Sequence, residues 1–208
     1  MAWDVEGTKQ RVRAAAAVEF AAHGPAGATI DRIATRAGVN RERVYNYFTD
    51  KSTLFAVVVS EQLELIASSV PLAVDDLDDL AAFAGGTYDY QRKHPELARL
   101  VLWEGLYDTG TVTEELARSK LYAAKTDEVA RAQQAGLIGD DLAPGYLVFM
   151  IISLSSYWAA APQIARMLTG SAATARGEHA RRRDTVVAAT RALAAPSGTG
   201  QRPTVDYA

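Results

Sequence analysis

The 208-residue chain contains no cysteine, which excludes a disulfide framework and any thiolate metal site. Histidine is scarce as well. His23, His94 and His179 lie far apart, without the paired spacing that a zinc-binding helix needs. No Gly-x-Ser-x-Gly elbow and no glycine-rich phosphate loop is present, so neither a nucleophile nor a nucleotide cradle is offered. The expectation is a protein that is not an enzyme and uses no metal or cofactor. Strand-like alternation is missing too, and no segment repeats internally.

What is present suits a folded chain. It is 49% hydrophobic and 23% charged, which argues against wholesale disorder, and it is long enough to bury a real core. The net charge of -3 divides unevenly: Met1–Lys51 carries 8 Lys/Arg against 6 Asp/Glu, and the remainder 14 against 19. A mildly basic end on an acidic body is the asymmetry expected if one end meets a polyanion. The one long uncharged run, Leu142–Ala165, exceeds a membrane span in length. Pro144 and Gly145 open it, Ser153, Ser155 and Ser156 sit inside it, and Asp140 and Asp141 precede it where a span would carry positive charge. A core or subunit-interface helix is the expectation, with no membrane contact and a cytoplasmic location.

Nearly every segment reads as helix. The first runs over about Thr8–Ala22 and is closed by Gly24. Thr29 caps a short second helix to Ala37, with Gly38 as its stop, and Asn40 caps a third over about Arg41–Phe48. Asp50 caps a fourth near Lys51–Ser69. Further helices are expected from Asp75 or Asp76 to Lys93, from Pro95 to Tyr107, over Thr113–Ala135, over Leu142–Ala160, around Gln163–Leu168 and over Ala175–Ala194. The end, 197–208, is rich in Pro, Gly and Thr and is expected to be disordered.

The stretch "TIDRIATRAGVNRERVYNYFTDK", Thr29 to Lys51, holds more than a packed domain requires. Ile30, Ile33, Ala34 and Ala37 share one helical face, the "AGVN" turn is short, and Val39, Val44 and Phe48 can pack inward. That leaves Arg41 with Tyr45 and Arg43 with Tyr47, pairs four apart on the outer faces. A helix in the major groove needs long donors for base edges, with cations and hydroxyls beside them for phosphates. Arg41 and Arg43 suit the first role, and Tyr47 and Lys51 the second. Thr29 stands where helix N-terminal amides can hold a phosphate.

This segment, "TIDRIATRAGVNRERVYNYFTDKSTLF" preceded by "AAAAVEFAAHGPAGA", resembles the DNA-binding region of the TetR family of transcriptional regulators. The family pattern is matched by Phe20 and Gly24, Thr29, Ala37–Val39, Tyr45, Phe48 and Lys51. The match covers about the first quarter of the chain; beyond it only helix count and order, and "HPELARLVLWEGL", are similar. The resemblance implies an all-α homodimer on double-stranded operator DNA, usually released by a small-molecule effector. It implies Thr29, Tyr47 and Lys51 on phosphates, and Arg41, Arg43 and Tyr45 on bases. Two roles are open to Glu42: accepting from a cytosine amino group, or holding the two arginines by ion pairing, which is preferred.

The fold class expected is therefore all-α: an N-terminal three-helix domain with the helix-turn-helix, 1–50, then a larger helical ligand-binding and dimerisation domain, 51–196. Candidate effector contacts are Phe83, Thr87, Tyr90, Trp103, Glu104, Tyr107, Tyr122 and Phe149, with a core stripe as the competing reading of the aromatics. The Gly85–Gly86 pair inside a helix suggests a close approach to the backbone. Glu104 has the alternative of a surface pair with Arg99. The uncharged helix and the last helix are the expected dimer interface, tested by charge at Leu147 or Ile151, and "RRR" at Arg181–Arg183 is expected to be a solvated or rim face. A DNA-binding architectural or partner-controlled factor without a ligand is the alternative function.

Overall fold

The computed structural model describes residues 4–107 and 115–196. The described residues form ten α-helices and no strand: α1 Val5–Gly27, α2 Ile30–Ala37, α3 Arg41–Tyr47, α4 Lys51–Ser69, α5 Leu77–Lys93, α6 Pro95–Leu106, α7 Glu115–Gln134, α8 Pro144–Ala160, α9 Pro162–Thr169 and α10 Glu178–Ala194. The expected seventh-helix start at Thr113 and the expected disordered tail over 197–208 lie outside the described residues.

Most expected boundaries hold to within a few residues, and the departures have local causes. The first helix begins at Val5 rather than Thr8, because the Asp4 side chain accepts a hydrogen bond from the Gly7 amide at 2.7 Å. Gly24, at φ 68° and ψ 172°, kinks this helix, and a further turn containing Pro25 follows. Asp76 caps α5 by accepting from the Asp79 amide. The last helix starts at Glu178, after Gly177 at φ 77°, and not at Ala175.

Two compact units emerge. The first comprises Met1–Ser69 and Gln91–Ser119. Its core gathers Val12, Ala16 and Phe20 of α1, Ile33 of α2, Val44 of α3, Leu54 and Val58 of α4 and Leu100 of α6, all nearly or fully buried. Phe20 and Phe55 meet edge to face at 5.1 Å. This unit extends past residue 50, because α4 and α6 both pack on α1.

The second unit comprises Val70–Tyr90 and Lys120–Ala208, with a core built on Leu80, Phe83, Val129, Leu147, Ile151 and Val186. Three expectations are corrected here. Leu147 and Ile151, expected at a dimer interface, are fully buried in this core; the exposed apolar side chains of α8 are Tyr146, Phe149, Met150 and Tyr157. The Arg181–Arg183 run is not simply solvated, since Arg182 is buried, donates to the buried Glu178 at 2.7 Å and lies over the Trp158 ring. The close approach foreseen at the glycine pair is real, but protein makes it. A Cβ at Gly85 would lie 2.9 Å from the Arg183 guanidinium and 3.1 Å from Val187, and one at Gly86 would lie 3.1 Å from Val70.

The uncharged run is broken by 89° between α8 and α9, at Pro162. Among the described residues no single helix is long and apolar enough to cross a membrane; only that bent pair qualifies by length and composition.

Candidate functional site

The turn between α2 and α3 is set by its caps. The Thr29 hydroxyl accepts from the Arg32 amide at 3.3 Å. Gly38 adopts φ 68° and ψ 37°, and its amide and that of Val39 return to the last carbonyls of α2. Asn40 Oδ1 then accepts from the Arg43 amide at 2.9 Å and starts α3 at once. Asp50 does the same for α4, accepting from the Thr53 amide at 2.7 Å, and these bonds lower its pKa. Helices of eight and seven residues are thus held in a short turn that glycine alone enters without strain.

Only Val44 of α3 is buried. Arg41, Glu42, Tyr45 and Asn46 are exposed, while Arg43 and Tyr47 are half-buried rather than fully outward. The Arg41–Tyr45 pair forms as its spacing suggests: the guanidinium lies 5.5 Å from the ring centroid, and Nη2 donates to the Tyr45 hydroxyl at 3.4 Å. Its ion-pair partner is Asp31 of α2 at 3.3 Å and not Glu42, so the preferred role of Glu42 does not hold for Arg41. The Tyr45 hydrogen bond, then the Asp31 charge, raise the Arg41 pKa. Above Tyr47 the Lys9 ammonium sits 5.9 Å from the ring centroid. Lys51 donates to the Ala28 carbonyl at 3.0 Å and to that of Ala26 at 3.5 Å, which places a cation beside the Thr29 cap.

One pair escaped the sequence reading. Glu19, only 3% exposed, accepts from Arg32 Nε, and Arg32 also donates to the Gly27 carbonyl. This buried charge locks α1 to α2. The signal was present: Glu19 falls on the same face as Val12, Ala15, Ala16 and Phe20, where an unpaired carboxylate would be costly.

The eight candidate effector residues divide between the units. In the first, Trp103 faces Gly24 so closely that a Cβ there would lie 2.9 Å from its ring, and Tyr107 tilts against Trp103 at 6.2 Å. Glu104 is paired, but with Arg118 of α7 at 2.8 Å, not with Arg99. In the second unit Phe83 and Thr87 are buried, and Lys125 lies 5.0 Å over the Phe83 ring with its pKa lowered by burial. Tyr90 is half-buried, Tyr122 is partly exposed, and Phe149 is 68% exposed on α8. The Phe149 side chain thus stands outside the core of its own unit.

A short-turn pair of capped helices presenting arginine and tyrosine defines a DNA-binding helix-turn-helix regulator. The profile described as "Bacterial regulatory proteins, tetR family" matches residues 12–58, and "Tetracyclin repressor-like, C-terminal domain" matches 79–192. The chain is similar to the HTH-type transcriptional repressor SCO4008 of Streptomyces coelicolor, 39% identical over 168 residues that cover 80% of this chain and 86% of that protein. It is 27% identical to the HTH-type transcriptional regulator RutR of Escherichia coli over 166 residues, 77% of this chain and 78% of the relative. Among solved structures, the transcriptional regulator SCO4942 of Streptomyces coelicolor superposes with a TM-score of 0.76 at 31% identity, covering 94% of this chain and 99% of that one. The chain belongs to the TetR family of transcriptional regulators, a family of DNA-binding proteins and not of enzymes.

Proposed function

We propose that this protein is a cytoplasmic repressor that binds a near-palindromic operator as a homodimer and is released by a small, mostly apolar effector. The observation that carries the DNA reading is α3 itself, which buries one side chain and turns Arg41, Glu42 and Tyr45 outward from a rigidly capped turn. Arg41 and Arg43, with Tyr45, read bases; Thr29, Tyr47 and Lys51 hold phosphates, and Glu42 accepts from a cytosine amino group. Repression is supported by the 39%-identical relative, which is itself named a repressor. For the effector, Trp103, Glu104 and Tyr107 carry the proposal. Phe83 and Thr87 fit the core reading of the second unit, to which Tyr90, Tyr122 and Phe149 also belong.

Ligand control has a local route inside the first unit. Trp103 of α6 packs on Gly24, the kink of α1, so a shift of α6 bears directly on the helix that Glu19 and Arg32 lock to α2. Operator selection from a random DNA pool tests the reading. Arg41→Ala or Arg43→Ala is expected to cost about 1–3 kcal/mol and to relax preference at particular positions. Lys51→Ala is expected to weaken operator and unrelated DNA alike and to flatten the salt dependence. An unchanged selected sequence in both arginine variants would refute the assignment.

A further inference from the structure

Resting on that ligand-controlled reading, we propose that Arg118 is the polar anchor of the effector site. It takes a neutral hydrogen-bond acceptor, a ketone- or amide-type carbonyl, carried by an otherwise apolar effector. Arg118 is 6% exposed. Its Nε donates to Ser60 Oγ of α4 at 3.1 Å, and its Nη1 meets both carboxylate oxygens of Glu104 at 2.8 Å. Its Nη2 is buried and has no acceptor. A guanidinium carries five N–H donors, and a carboxylate that pairs with it commonly spans two of its nitrogens. Glu104 instead places both oxygens on one nitrogen, so the two Nη2 hydrogens remain unanswered out of reach of water. Buried charged donors are nearly always satisfied, and one left open marks a place where an acceptor belongs.

The charges select the acceptor. Arg118 and Glu104 already neutralise each other, so a ligand carboxylate would bring a second negative charge to one desolvated guanidinium. A cation would face the arginine. A carbonyl oxygen supplies lone pairs without net charge. Tyr107, the cap residue three positions after Glu104, offers an exposed apolar surface on the same side for the ligand body. The anchor is connected to the reading head through α4. Ser60 lies on the helix whose first residue, Lys51, holds the Ala26 and Ala28 carbonyls beside the Thr29 cap. A carbonyl that draws the guanidinium away from Ser60 therefore acts on the helix that follows α3.

The test uses the full-length protein with benzophenone, tetralone and undecanone, each beside its hydrocarbon parent and a carboxylate of the same size. Binding is read by thermal shift and by titration, and release by competition on a selected operator. At least one ketone is expected to bind about tenfold or more tightly than its parent and its carboxylate. Arg118→Lys keeps a charge facing Glu104 but has a single nitrogen, and it is expected to bring the ketone down to the level of the hydrocarbon. Ketones that bind no better than their parents would overturn the proposal. So would a preference for carboxylates, a preference that survives in Arg118→Lys, or no ketone binding at all. If Arg118→Lys does not fold, the three-way comparison on the wild type decides. Operator binding without any compound tests the DNA reading separately. Release by hydrocarbon or carboxylate would keep ligand control while removing this anchor.

Discussion

Gly24 and Gly38 share a backbone φ of 68°, yet they occupy different surroundings and predict different costs. Gly38 has ordinary left-handed geometry, and nothing lies within 4 Å of an added Cβ. Gly38→Ala is expected to cost about 1 kcal/mol, and Gly38→Asn less. Gly24, at ψ 172°, stands in a region that only glycine populates, and an added Cβ would lie 2.9 Å from the Trp103 ring. Strain alone is worth about 1–3 kcal/mol there, and the ring adds to it. Urea unfolding of both variants checks the order, with Gly24→Ala the worse; equal costs would mean that the Trp103 contact is slack. The residue scale also shows where pattern reading reaches its limit. Glu19 was legible as a charge on an apolar face, but nothing in the spacing named Arg32 as its partner.

At the scale of the element, α8 has a buried face and an exposed apolar face. Leu147 is fully buried, so Leu147→Ala is expected to destabilise the protein by about 2–5 kcal/mol. Phe149 and Met150 are exposed, so charge placed there is expected to leave the fold and yield monomers. Sedimentation and thermal melting of Phe149→Glu with Met150→Glu check this; a dimer that persists would move the interface elsewhere. The segment before α5 makes a pH prediction. Glu128 of α7 accepts from Arg131 at 2.7 Å and from the Val74 amide at 2.7 Å, and these bonds hold its carboxyl at about 2. A depressed carboxylate contributes stability above its unfolded pKa, ordinarily near 4.5, that is lost as pH falls toward the folded value. Glu128→Gln is therefore expected to narrow the stability gap from wild type between pH 4.5 and pH 2, measured by melting across that range. A gap unchanged with pH would show that the ion pair is not formed in solution.

For the whole molecule the proposed control is a linkage. An effector that binds the DNA-incompatible form about a hundredfold more tightly supplies roughly 2.7 kcal/mol of coupling, and operator DNA must then weaken effector binding by the same factor. Titration of one compound with and without operator checks the reciprocity; equal affinities would show that the compound is not an inducer. Dimeric reading sets the other expectation at this scale, two α3 helices about 34 Å apart on a near-palindromic site. A protein that sediments as a monomer at micromolar concentration would contradict it.

The sequence by itself determined the all-α class, nearly every cap and stop, and the family, because those depend on chemistry within a few residues. A cap side chain, a left-handed glycine and an i to i+4 pair such as Arg41 and Tyr45 need no distant partner to be recognised. Only the tertiary structure decided which of two equally apolar faces of α8 is core, and that Arg183 and Val187 fill the space over Gly85. It alone decided that Arg41 meets Asp31, and that Glu104 reaches Arg118 rather than Arg99. Side chains ten or more positions apart become neighbours only through packing, and an uncharged helix carries no periodicity to say which side faces in.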